Sequence, residues 1–183
     1  MIEIIFDTET TGLIKPDAVG LEKQPSIIEI YCYKQERVDN ESNFIEDFES
    51  FIKPPAPITE EITKITGINN QMVQHAPEFN QISEEIAEFF LGAERLVAHN
   101  LAFDLSMLAN ELLRCDRILQ FPWPMSHVCT VQKSMHYQQR RLSLTRLHEH
   151  LFDCDFPNAH RAKNDVEPLV RCYNEMVIKG DIL

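Results

Sequence analysis

Asp7-Thr8-Glu9 closes a short apolar run, Ile2 to Phe6, and leads into Thr10-Thr11-Gly12-Leu13. On a strand, side chains two apart lie on one face about 6.6 Å from each other, so the two carboxylates converge while Thr8 faces away. Two anions held this close repel unless a cation sits between them, and an oxygen-only donor set suits Mg²⁺ or Mn²⁺. Spacing alone is weak support, because 10 Asp and 19 Glu in 183 residues give about one such pair by chance. Asp47-Phe48-Glu49 is a second copy, expected on the solvent face of a strand, with no turn or ligand loop after it.

Two further segments pair a histidine with an acid. His99-Asn100-Leu101-Ala102-Phe103-Asp104 places a carboxylate in the first turn of an expected helix, where the helix dipole favours its charged form. Improved capping is the ordinary alternative for that aspartate. His160-Arg161-Ala162-Lys163-Asn164-Asp165 offers an imidazole able to take a proton from water and an acid able to bind metal. His99/Asp104, His148/Asp153 and His150/Asp155 share this spacing. The pair 160/165 ranks above the later two because a long apolar helix follows it and can press Asp165 against a sheet.

The elements that must position these groups are legible in outline. Runs at 2–6, 27–33 and 44–52 read as three consecutive antiparallel strands, and 95–98 as a fourth. Helical patterns fall near 59–65, 69–74, 79–91, 129–136, 143–151 and 164–178. Another begins after Asn100, a candidate N-cap, with Leu101, Leu105, Leu108 and Leu112 at helical spacing. Strands followed by alternating strands and helices point to an α/β domain on one mixed sheet.

Length and composition bound the rest. The 183 residues, 44% apolar and 25% charged, suit one domain, 1–183, with one core. Five cysteines without a C-x-x-C pair argue against a disulfide framework or a zinc ribbon. No apolar run reaches membrane-spanning length and the amino terminus lacks a signal-peptide pattern, so a cytoplasmic protein is expected. The net charge of −12 comes wholly from residues 1–92, with 18 acids against 6 Lys/Arg, while 93–183 hold 11 of each. A polyanionic partner would have to be held by local cations, stacking or metal, since long-range attraction is lacking.

Taken in order, Asp-Thr-Glu-Thr-Thr-Gly, His-Asn-x-x-Phe-Asp and His-x-x-x-x-Asp resemble the DEDD exonuclease superfamily in its histidine-bearing (DEDDh) branch. Ile28-Glu29-Ile30, Ile65-Thr66-Gly67-Ile68 leading to Val73 and Ala76-Pro77, and Ser143-Leu144 with Leu147 resemble text in relatives of the proofreading subunit of bacterial DNA polymerase III. The resemblance covers residues 2–178. It implies a ribonuclease H-like fold, a mixed five-stranded sheet flanked by helices, and 3′ to 5′ removal of nucleoside 5′-monophosphates with two Mg²⁺ or Mn²⁺ ions. Carried over, Asp7, Glu9 and Asp165 hold one ion, Asp7 and Asp104 the second, and His160 is the general base. Thr10 would meet the terminal sugar, Leu13 would wedge against the last base, Phe103 would stack and Ile65 would line the far side. Core packing is the alternative for Leu13 and Phe103. Lys133, Arg140, Arg141 and Lys163 are the candidate phosphate contacts, with solvated surface charge as the alternative.

The expected substrate is DNA with single-stranded or frayed 3′ ends. The RNA-trimming members of the superfamily, such as ribonuclease T or oligoribonuclease, are the nearest alternative. A non-catalytic module that kept the fold is a rival from another class. A Gly-loop nucleotide binder is disfavoured by five glycines and no phosphate loop. The short stretch after the last motif favours a free-standing enzyme over a polymerase-bound one, with a homodimer left open. Three features depart from the family pattern: the long loop 14–25, Thr66 where several proofreading relatives carry histidine, and Pro168 three residues after Asp165. A helix starting near Asn164 would accommodate that proline in its first turn; a start near His160 would require a kink.

Overall fold

The computed structural model describes residues 1–154 and 161–183. The elements in chain order are β1 (Ile2–Thr10), β2 (Ile27–Val38), β3 (Glu41–Phe51), α1 (Glu60–Thr66), α2 (Asn70–Val73), α3 (Phe79–Phe90), β4 (Arg95–Ala98) and α4 (Leu101–Arg114). They continue with β5 (Ser126–Cys129), α5 (Thr130–Lys133), α6 (Met135–Gln138), α7 (Leu144–Phe152) and α8 (Ala162–Ile178). One five-stranded sheet has the order β3-β2-β1-β4-β5. β1, β2 and β3 pair antiparallel, whereas β4 and β5 run parallel to β1. This is the mixed, helix-flanked sheet expected from the sequence.

Alternation along β1 decides which helix each side chain meets. Ile4 and Phe6 enter the core that holds Phe89 and Phe90 of α3 and Leu101, Leu108 and Leu112 of α4. Ile5 faces the opposite core, built with Leu147 of α7 and Val166, Leu169 and Tyr173 of α8. Asp7 and Glu9 therefore continue the α8 face, and Thr8 continues the α4 face. β1 pairs with β4 only over Glu3–Ile5, so its end projects beyond β4 into the space where α4 begins. A bulge between Glu9 and Thr10 ends the regular pairing with β2.

Several expectations are corrected. β5 is absent from the four strands read locally: Ser-His-Val-Cys has only two apolar positions, and its strand character comes from pairing with β4. The helix expected over 129–136 is two short turns meeting at Ser134. Asn100 is the N-cap residue of α4, as expected, but makes no side-chain capping bond. Its backbone is left-handed, φ 75° and ψ 45°, which turns the chain from β4 into the helix, and its Oδ1 accepts from Arg141 Nη2 at 2.8 Å. α8 starts at Ala162, so Pro168 lies beyond the first turn, buried inside a helix that runs through it.

The loop 14–25 is tied down at its base. Lys15 N donates to Gln24 Oε1 and Gln24 Nε2 donates back to Lys15 O. Arg114 Nη2, at the end of α4, donates to the carbonyls of Leu21, Gln24 and Pro25. At the other end of the sheet, buried Glu3 accepts from Arg37, Arg95, Gln35 and Tyr173, linking β1, β2, β4 and α8. Among the described residues, no helix is long and apolar enough to cross a membrane.

Candidate active site

Asp7, Glu9 and Asp165 each offer a carboxylate oxygen, and these oxygens all lie within 4.8 Å of one another. β1 supplies the first two from one face and α8 brings the third across. A small octahedral cation places its ligand oxygens about 3 to 4.2 Å apart, so the spacing and the all-oxygen donor set fit Mg²⁺ or Mn²⁺.

Asp104 reaches the same end of β1 from the other face. It is 2% exposed. Its Oδ1 accepts from Thr8 Oγ1 at 2.8 Å and from Thr8 N at 3.2 Å. That main-chain N–H belongs to the part of β1 that β4 does not pair. Thr8 points away from the Asp7/Glu9 face, as its spacing requires, and there holds the fourth acid.

Electrostatics mark the cluster as incomplete without cations. Burial pushes the Asp7 carboxyl well above its ordinary value, and Asp104, Glu9 and Asp165 push it further. Glu9 is pushed up to about 8 by burial, then by Asp165, Glu29 and Asp104, with Arg161 opposing. Burial raises Asp104 as well, against the hydrogen bonds from Thr8. A divalent cation would reverse these shifts and release protons on binding.

The remaining expected residues fall into distinct positions. Thr10 follows Glu9 across the bulge, buried, with Oγ1 donating to Gly12 O at 2.8 Å. Leu13 is 78% exposed and Ile65, on α1, is 52% exposed, so neither is committed to the core. Phe103, beside Asp104, is half-buried and packs against the core under α3 and α4. Thr66 is absorbed by the end of α1: its Oγ1 donates to Ile62 O and accepts from Ile68 N. Among the cationic candidates, Lys163 pairs with Glu49 at 3.7 Å, Arg140 donates to Gln138 and Arg141 donates to Asn100. Asp47 and Glu49 are exposed on β3, as expected for the second D-x-E.

The histidines separate by environment. His160 lies outside the described residues. His99 is fixed by Thr130 Oγ1 at Nδ1 and Leu142 O at Nε2, and burial lowers it to about 4. It is neutral near pH 7 and has both ring nitrogens engaged. His148 is buried with Nδ1 against Cys154 O, and His150 stacks on Tyr137.

Two groups at the site were not singled out from the sequence for a role there. Thr8 is one; its signal was its place between the two acids. Glu29 is the other, an acid alone in the apolar run Ile27–Ile30 and opposite Glu9 across β1–β2. It is buried and binds Arg161 at the start of α8.

The family model for RNase_T exonucleases matches residues 4–173. The chain belongs to this exonuclease family, and with it to the DEDD superfamily of 3′ to 5′ exonucleases. Dependence on divalent metal is typical of the family. The chain is 31% identical over 178 residues to a PolC-type DNA polymerase III from Caldanaerobacter subterraneus subsp. tengcongensis, covering 96% of this chain and 12% of that protein. It is 29% identical over 164 residues to the PolC-type enzyme of Bacillus subtilis, covering 90% of this chain and 10% of that protein. The chain thus spans about a tenth of the length of these relatives. Among solved structures, the nuclease domain of 3′hExo, a DEDDh family member bound to rAMP, superposes with TM-score 0.76 at 18% identity, covering 98% and 92% of the two chains. Exonuclease X in complex with 5′ overhanging duplex DNA gives 0.64 at 22% identity, covering 97% and 93%.

Proposed function

We propose that residues 1–183 form one exonuclease domain that hydrolyses DNA from single-stranded or frayed 3′ ends to nucleoside 5′-monophosphates with two divalent ions. The observation that carries this is the convergence of Asp7, Glu9 and Asp165 within 4.8 Å, with Asp104 anchored on Thr8 at the same strand end. Similarity to PolC-type DNA polymerases favours DNA.

In this reading Asp7, Glu9 and Asp165 would hold one ion, and Asp104 with Asp7 would hold the other. The ions, when bound, lower the pKa of the attacking water and stabilise the leaving 3′ oxygen. Thr8 fixes one carboxylate oxygen of Asp104 at the end of β1. His160 takes the proton from the attacking water, a role resting on its place in the sequence motif. Leu13 and Ile65 offer apolar surface to the terminal base, and Phe103 contributes what its core packing leaves free; such contacts tolerate any base.

RNA trimming is the second reading, favoured by structural neighbours whose ligands are rAMP and a histone mRNA stem-loop. Labelled single-stranded DNA and RNA oligomers, incubated with Mn²⁺, with EDTA and with Asp7→Ala protein, test both. Stepwise shortening of DNA from its 3′ end, lost in both controls, is expected. Shortening of RNA alone selects the second reading, and full activity in Asp7→Ala contradicts the mechanism.

A further inference from the structure

Glu29 is 1% exposed, yet no catalytic role falls to it. Among the described residues, the hydrogen-bond donors to its carboxylate come from the start of α8. Arg161 Nε lies 3.0 Å from both carboxylate oxygens, Arg161 Nη2 lies 2.5 Å from Oε1, and Ala162 N donates to Oε2 at 3.0 Å. Arg161 also lies over the Phe51 ring, its guanidinium carbon 5.0 Å from the ring centre. Its carbonyl accepts from Asp165 N at 3.0 Å, so the clamped residue and the third acid of the cluster share the first turn of the helix.

A forked guanidinium on a buried carboxylate fixes direction as well as distance. Three bonds from Arg161 and one from Ala162 leave α8 little freedom to rotate or slide against β2. Because Glu29 sits opposite Glu9, the clamp references Asp165 to the strand pair that carries Glu9. It also sets one positive charge beside the acid cluster. A wholly structural pair elsewhere in the fold, such as Arg37 with Glu3, has no such tie to the acids.

We infer that Glu29 and Arg161 are positioning residues that set the cation affinity of the site by fixing Asp165 relative to Asp7 and Glu9. This rests on the reading of those three acids as a cation site. Outer partners of metal ligands typically change affinity or activity by about 10- to 100-fold when removed.

The test uses Mn²⁺ alone as probe and thermal stabilisation of the whole chain as readout, beside activity. Wild type, Glu29→Gln, Arg161→Met and Arg161→Lys are compared, with Asp165→Asn as the ligand-loss reference and Glu46→Gln as a surface ion-pair control. Glu29→Gln and Arg161→Met should need about 10- to 100-fold more Mn²⁺ for half-maximal stabilisation, with Arg161→Lys between them and wild type. Activity in these variants should recover toward wild type as Mn²⁺ is raised. If they melt lower in EDTA but keep the wild-type Mn²⁺ midpoint, the pair is only structural and the inference is overturned. If Glu29→Gln does not fold, Arg161→Lys decides by the same midpoint. Failure of wild type itself to be stabilised by Mn²⁺ would instead strike the underlying reading of the acids.

Discussion

At the residue scale, the site depends on one threonine that touches no expected cation. Thr8 Oγ1 and N hold a single oxygen of Asp104, so Thr8→Val removes the hydroxyl bond and keeps the main-chain one. A loss of about tenfold in kcat is expected, with the fold intact by circular dichroism. The acids themselves should make the metal-free protein pH-sensitive. Glu9 titrates at about 8 in the fold against an ordinary 4.5. A raised carboxyl favours the folded state fully below its unfolded value and loses that contribution as pH climbs through its folded value. In EDTA, Tm should therefore fall between about pH 4.5 and 8, and Glu9→Gln should flatten that fall. Melting curves across this range, with and without Mn²⁺, check it; an unchanged slope in Glu9→Gln would deny the shift.

At the scale of elements, loop 14–25 should owe its order to Arg114. Replacing Arg114 by Ala removes the donors to Leu21, Gln24 and Pro25, so trypsin should cut after Lys23 several-fold faster than in wild type. Equal cleavage rates would show the loop held by other means. What the sequence disclosed at this scale follows from how locally each element is determined. β4 is legible at its observed bounds because Leu96–Ala98 is a compact apolar segment between turns, and α4 is legible as a helix after Asn100, without its end, because its leucines repeat over three turns. β5 was missed because a parallel partner, and not its own pattern, makes Ser126–Cys129 a strand. The acids were legible through their order along the chain. Thr8 and Glu29 were not, since their importance lies in contacts with residues 96 and 132 positions away.

At the scale of the whole molecule, charge distribution limits how nucleic acid can be held. The net charge is −12, and two of the four candidate phosphate-contacting cations already engage Glu49 or Asn100. Each phosphate neutralised on a single strand adds about 0.7 to the salt slope. A plot of log KM against log salt should then have a slope of about 2 or less; a much steeper one would mean a basic track along the strand. The opposite end of the sheet provides the stability against which the acid cluster works. Glu3→Ala would strand Arg37 and Arg95 in the interior and should destabilise by about 3–5 kcal/mol in urea unfolding.

The central claim is that carboxylates from β1, α4 and α8 close around paired divalent ions. Anomalous diffraction from crystals soaked in Mn²⁺ and a nucleoside 5′-monophosphate measures this directly. Two peaks are predicted, one among Asp7, Glu9 and Asp165 and one between Asp7 and Asp104. Bound nucleotide with no manganese peak at these oxygens would contradict the account.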